Sequence, residues 1–544
     1  MEKMERIKES LKYMYPGCFE GVYREVQSLI SRWRRQPFPQ YRGIDQADVF
    51  LITYADALRR EGEAPLRTLK NFLDGEFKES LNLIHLLPMF PYSSDDGFSV
   101  INFREINPEL GTWEDIRNLS SGYDLMFDAV INHASRESPY FQGFIAGEKK
   151  YEDFFIRADP GADYSQVIRP RSLPLLTPVD TPEGTRHIWT TFSEDQMDLN
   201  YKNPAVLLEM LDVLLLYAQR GARFIRFDAI GFAWKEPGTT CMHLPQVHRM
   251  IKLMRAVLQS CAPGCGIITE TNVPQKDNIS YFGDGHDEAA LVYQFPLPPL
   301  VLFSFLSQNA RCLTDWAAAL EPSSADTAYF NFLASHDGIG LRPVEDLLDG
   351  EEQALLVRET LARGGQIGLR SFPGGREVPY ELNINYLDAV AADAGDDETR
   401  AQKFLASQCI LLSVMGMPAV YYHSLFGSRG DREAYQKTGI KRRINREKFD
   451  ADALLSRLRE EGSLANLVSR GYKRLLARRR ALPAFHPNSP QRVLRLAPEL
   501  FALLRGDGPG EVLVLVNVSG RPVTADPGFS GTDVISGENC GGPI

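Results

Sequence analysis

Gly221-Ala-Arg-Phe-Ile-Arg-Phe-Asp-Ala-Ile-Gly231 is the stretch whose reading decides the fold. Residues 222–227 are mostly apolar and stiff, which predicts a buried strand running into Asp228. A carboxylate at the end of a buried strand needs a partner, because burying it unpaired is costly. Arg226 stands two residues earlier, and on a strand such neighbours share a face, so the two can hold each other ionised. Read alone, the pair fits a structural ion pair at least as well as a chemical site. Working outward, similar short apolar runs lie at 47–54, 83–89, 125–131, 266–269, 290–293, 329–334 and 419–422. Helical patterns separate most of them, at 65–73, 113–119, 204–219 and 244–259. Strands alternating with helices imply a parallel sheet. Eight such units imply the α/β class and a closed (β/α)8 TIM barrel.

Two connections are too long for simple crossovers, and both leave the C-terminal ends of strands. Residues 134–199 follow the third strand and are rich in Pro, Gly and Asp; residues 338–402 follow the seventh. Long loops at that end of a barrel usually carry function. The barrel is expected over 46–480, with a helical lead-in at 1–45. A small C-terminal β domain is expected at 481–544, where period-2 runs such as 501–504 and 512–518 replace helical ones.

Composition excludes several classes. The 544 residues carry a net charge of −11, which argues against nucleic acid as a partner. The apolar run 291–306 is broken by Gln294 and three prolines, so no membrane span is expected. The seven cysteines show no Cys-x-x-Cys and no metal-ligand spacing, and the N-terminus has no apolar signal core. Both features point to reduced thiols in the cytoplasm. Gly364-Gly365 and Gly374-Gly375 lack the strand–helix setting of a phosphate cradle. No metal or other cofactor is therefore expected, and monomer and homodimer both stay open.

Three acids sit at three strand ends: Asp228, Glu270 and Asp337. Two carboxylates ~5–5.5 Å apart across a sugar make a retaining glycosidase-type pair, one nucleophile and one acid/base. The nucleophile must stay ionised, which Arg226 would support. The acid must keep its proton, so Glu270 should lie among apolar or acidic neighbours.

Four motifs, Asp128-Ala-Val-Ile-Asn-His133, Ala222-Arg-Phe-Ile-Arg-Phe-Asp228, Ile268-Thr-Glu270 and Ala334-Ser-His-Asp337, resemble in order those of the α-amylase family of retaining glycosidases and transglycosidases. The resemblance implies Asp228 as nucleophile, Glu270 as general acid/base and Asp337 as transition-state stabiliser. It implies His133, Arg226 and His336 as sugar-binding and orienting residues. Within the family the chain is most similar to the sucrose phosphorylase subgroup. Ser94-Asp-Asp-Gly-Phe-Ser99 then offers Asp95 as a clamp for glucose hydroxyls and Phe98 as an apolar platform. Gly439-Ile-Lys-Arg-Arg-Ile-Asn445 places Arg442 opposite Asp95. Arg169-Pro-Arg171 and Phe192-Ser-Glu-Asp-Gln-Met-Asp198 offer Arg171 as a phosphate ligand, with Phe192 and Gln196 as pocket wall.

One departure bears on the substrate. The subgroup's Leu-Asp-x-Tyr-Gln-x-Asn loop reads Tyr380-Glu-Leu-Asn-Ile-Asn385 here, so Leu382 and Asn383 stand where Tyr-Gln recognises fructose. That resembles the glucosylglycerate phosphorylase branch. The expected partners are a small sugar substrate, 2-O-α-D-glucosyl-D-glycerate, and inorganic phosphate. Arg171, Lys437 and the 380–385 loop are offered as donors to the acceptor. A sucrose 6′-phosphate, sucrose or glucosylglycerol phosphorylase, and an α-glucosidase or glucosyl transferase, remain alternatives. A non-catalytic barrel is disfavoured because all three acids are present.

Overall fold

The computed structural model describes residues 2–170, 173–321, 324–371 and 377–541. Its centre is a closed barrel of eight parallel strands: β1 (Phe50–Thr53), β2 (Leu83–Leu86), β3 (Asp124–Ala129), β4 (Ala222–Phe227), β5 (Gly266–Thr269), β6 (Leu291–Tyr293), β7 (Ala328–Phe332) and β8 (Met417–Tyr421). Each pairs with its neighbours in sequence, and β1 closes the ring between β8 and β2. All eight lie inside or next to the stretches expected from sequence. Most are shorter at their C-terminal ends, where the chain leaves the ladder to build loops.

Helices fill the outer layer, and their ends are specified locally. Pro204–Gln219 has proline in its first turn, and the Asn203 side chain accepts the Ala205 N–H at 3.0 Å. Trp113–Ser120 opens with a reciprocal cap between Thr112 and Asp115. Along β4 the side chains alternate. Phe224 packs edge-on against Phe50, with ring centroids 5.6 Å apart, and Phe50 meets Phe330 at 5.1 Å. These rings floor the barrel. Arg226 and Asp228 share the face of Phe224 and rise above that floor, as period 2 requires.

Register sets the level of the chemistry. Phe227 pairs with Ala129 on one side and Thr269 on the other. Asp228 and Glu270, the next residues on adjacent strands, therefore emerge at the same height. The first insertion leaves and returns beside this mouth, because His133–Ser135 pairs antiparallel with Gln196–Asp198. The second forms a three-stranded sheet in which Glu377–Asn383 lies between Ile339–Gly340 and Gln366–Ser371.

Outside the barrel, Glu2–Met14 packs on Pro245–Cys261, and the Tyr15 hydroxyl donates to the Tyr201 carbonyl at 2.7 Å. Beyond the barrel, Gln491–Leu494, Leu500–Arg505 and Val512–Asn517 form an antiparallel sheet. Buried Arg505 ties that sheet back by donating to the Ser413 carbonyl at 2.7 Å. Among the described residues, no helix is long and apolar enough to cross a membrane.

Candidate active site

A cavity of about 430 Å³ opens at the C-terminal mouth of the barrel. Asp228, Glu270 and Asp337 line it together with Asp95, Phe98, His133, Phe192, Gln196, Arg226, His336 and Arg442. The sequence spreads these residues from Asp95 to Arg442; strand ends and two insertions bring them to one hollow.

Arg226 is buried at its centre. Nη1 donates to Asp228 Oδ1 at 2.8 Å and also to Asp128. Nε donates to the Tyr293 hydroxyl at 3.1 Å, and Nη2 stands 3.9 Å from Glu270 Oε2. Asp128 is held from its other side by His85 at 2.8 Å. Burial opposes ionisation of Asp128, but Arg226 and His85 outweigh it and hold its carboxyl below the usual range.

Ala229, just past Asp228, adopts a left-handed backbone with φ 47°. A non-glycine residue pays for that conformation. Here it aims the Ala229 N–H at Glu270 Oε2, 2.9 Å away. Burial raises the Glu270 carboxyl's pKa, Arg226 opposes and Asp337 adds to the rise. Asp228 is also raised, by burial first, against the pull of Arg226, with Glu270 and Asp128 pushing the same way as burial. The two carboxyls titrate as a pair. Arg226 bonds Asp228 directly and reaches Glu270 only at longer range, so the pair's charge is favoured on Asp228 and its proton on Glu270.

Asp337 differs. Burial again opposes its charge, but Arg442, His336 and Arg446 outweigh burial and hold the carboxyl well below the usual range. Arg442 Nη1 is 2.5 Å from Asp337 Oδ1, and His336 Nε2 is 3.4 Å from Oδ2. Burial keeps His336 neutral by lowering its pKa to about 3. Its ring stacks on Phe98, with centroids 4.7 Å apart and planes 8° from parallel. Two side chains fix the Phe98 backbone: His133 Nε2 lies 2.8 Å and Gln196 Nε2 3.0 Å from its carbonyl oxygen. Phe192 stands against His133 with centroids 5.4 Å apart.

Residues 80–341 match the family described as alpha amylase, catalytic domain. A protein named glucosylglycerate phosphorylase from Spirochaeta thermophila is 49% identical over 529 residues, 95% of this chain and 90% of the relative. The chain belongs to the α-amylase family. Another relative of that name, from Escherichia coli, is 44% identical over 95% of this chain and 93% of its own length. Among solved structures, the sucrose 6F-phosphate phosphorylase of Thermoanaerobacter thermosaccharolyticum superposes with TM-score 0.77 at 25% identity, covering 92% of this chain and 98% of that one.

Within this α-amylase-family site, two sequence expectations need correction and a third gains further partners. Arg442 does line the mouth, but it is engaged by Asp337 and by Glu381, to which Nη2 donates at 2.9 Å. Arg446 also bonds Asp95, at 3.2 Å, together with Asp96 at 2.8 Å and the His336 carbonyl at 2.9 Å. Lys441–Asn445 is a short 3-10 segment, so spacing along it does not follow a strand or an α-helix and the next residue takes the inner position. Leu382 and Asn383 do not line the cavity. Leu382 is fully buried between its strand neighbours Ile339 and Ile367, and Asn383 sits behind Glu381, donating to it at 3.4 Å. Tyr380 and Glu381 supply the wall from that strand. Lys437 pairs with Glu433 at 2.6 Å on an exposed helix and is absent from the lining. Arg171, like Gly374-Gly375, lies outside the described residues.

Sequence reading passed over Arg446, Tyr293, Asp96 and Glu381. Tyr293 carried a signal, a polar side chain at the C-terminal end of an expected strand. Arg446 follows Asn445 directly and would have been reached by extending the quoted motif one residue.

Proposed function

We propose that this chain is a retaining glycoside phosphorylase. It converts 2-O-α-D-glucosyl-D-glycerate and inorganic phosphate to α-D-glucose 1-phosphate and D-glycerate. The observation that carries the reading is the acid set on neighbouring strand ends, with Asp228 bonded to Arg226 at 2.8 Å and Glu270 at 3.9 Å from the same guanidinium. The substrate comes from the two relatives named glucosylglycerate phosphorylase, each matching nearly the whole chain.

In the first half-reaction a carboxylate oxygen of Asp228 attacks the anomeric carbon and the glycosidic bond breaks. Glu270 gives its proton to the departing oxygen, and D-glycerate leaves. A β-glucosyl ester remains on Asp228. In the second, a phosphate oxygen attacks the same carbon, the ester breaks, and the Glu270 carboxylate accepts any proton released. Two inversions return the α configuration. Asp337, held anionic by its arginines, favours the positive charge that builds on the sugar ring. Asp95, His133 and His336 hold glucose hydroxyls, over the apolar platform of Phe98.

With α-D-glucose 1-phosphate as donor, phosphate release should favour D-glycerate over fructose, fructose 6-phosphate and glycerol by at least about tenfold in kcat/KM. A preference for fructose 6-phosphate would move the substrate to a sugar phosphate. Equal release without any acceptor would make the chain a hydrolase.

A further inference from the structure

Arg342 is a cation at the cavity wall that the acids described above do not use. It lies on the second insertion, two residues past Gly340, and lines the same hollow as Glu270. It makes no salt bridge with any described residue, and none of the residues outside the description is Asp or Glu. Among the described residues its guanidinium makes only a weak hydrogen-bond contact, from Nη1 to the Met242 sulfur at 3.7 Å. The other described arginines at or beside this mouth are matched: Arg226, Arg442 and Arg446 each bond carboxylates. Nearby Glu345 is engaged by Arg370 at 2.5 Å. A largely desolvated guanidinium without an anion is costly to keep unless an anion comes to it.

The surroundings suit a small hydroxy acid. The Asn272 amide oxygen is buried with no hydrogen-bond partner and lines the cavity. Gly340 leaves the room it needs, since a Cβ there would meet Asn272 Nδ2 at 2.7 Å. Asn272 stands two residues past Glu270 and packs against Gly340, two residues before Arg342, so the cation and the acid/base share one stretch of the cavity wall. That spacing matches the chemistry of the leaving group. In a 2-O-glucosyl glycerate the carboxyl carbon is bonded to the carbon that carries the departing oxygen. Its carboxylate must therefore sit beside the group that protonates that oxygen.

We infer that Arg342 is the carboxylate receptor of the leaving-group subsite, with the Asn272 amide oxygen accepting the hydroxyl of the same short hydroxy acid. This rests on the phosphorylase reading above and adds to it the residue that selects an acidic acceptor.

A two-by-two comparison tests it. Phosphate release from saturating α-D-glucose 1-phosphate is measured with D-glycerate and with its uncharged isostere D-glyceramide, in the unaltered chain and in Arg342→Gln. In the unaltered chain kcat/KM should favour glycerate by about 10- to 100-fold, the range of a charge-assisted hydrogen bond. In Arg342→Gln the preference should fall below about threefold, and Arg342→Lys should retain an intermediate preference. The ratio cancels any effect of the substitution on the donor half-reaction. If Arg342→Gln does not fold, Arg342→Lys must still lower the ratio. An unchanged ratio in the substituted chain, with the unaltered chain still preferring glycerate, overturns the role of Arg342 alone. Failure of the unaltered chain to use either acceptor, while transferring to fructose 6-phosphate, overturns the underlying reading instead.

Discussion

Arg226 bonds two carboxylates and stands 3.9 Å from a third, so one residue distributes charge over the whole acid set. Substituting Asp228→Asn replaces the nucleophilic carboxylate by a neutral amide, and Glu270→Gln removes the acidic proton. Each should lower turnover by at least about a thousandfold with the fold intact, measured as phosphate release at saturating donor. Near-normal turnover in either variant would refute its assignment. The pH dependence of stability follows from the direction of the shifts. Glu270, which keeps the pair's proton, is raised in the folded chain, so between the ordinary carboxylate pKa and the raised value the folded state binds more protons than the unfolded one. Stability from this group is full at low pH and is lost as pH rises through the folded value. Gln carries no charge to bury. Thermal melts of Glu270→Gln and the unaltered chain should therefore nearly coincide near pH 4 and separate as pH rises, with the variant melting higher. A variant that melts lower at every pH would contradict the cost assigned to the buried charge. These residues were partly legible beforehand. Arg226 and Asp228 declared themselves by sitting two apart on a strand, whereas the partnership of Arg446 with Asp95 depends on how an irregular segment turns.

At the scale of elements, the turn Asp95–Gly97 shapes the closed end of the hollow. Asp95, Asp96 and Gly97 all have positive φ, at 52°, 50° and 112°. Two aspartates hold a conformation that glycine prefers because Arg446 bonds both. Gly97 is required for a second reason: a Cβ there would lie 2.6 Å from the Pro88 carbonyl oxygen. Gly97→Ala should cost about 1–3 kcal/mol and raise KM for the glucosyl donor, because Phe98 and Asp95 move with the turn. Thermal melting and donor kinetics check this, and an unchanged melting temperature would contradict it. Local spacing in the sequence offered the turn Asp-Asp-Gly but not its strain, which comes from Pro88 on the preceding segment and from Arg446 far along the chain. The same limit applies to the strand 377–383. Its alternation is visible in sequence, but which face meets the cavity is fixed by pairing with Ile339–Gly340, so Leu382 turned inward and Tyr380 and Glu381 became the wall.

At the scale of the molecule, the barrel was readable because each strand and helix declares itself locally and parallel strands are joined in order. The hollow was readable only in part, since two insertions and a 3-10 segment supply its far side. What the assembled site should do is transfer glucose twice at one carbon. The most direct test is proton NMR of the first-formed product when the chain acts on 2-O-α-D-glucosyl-D-glycerate in phosphate. The prediction is α-D-glucose 1-phosphate with an equal amount of D-glycerate. A β-phosphate, or free glucose as the main product, would contradict it.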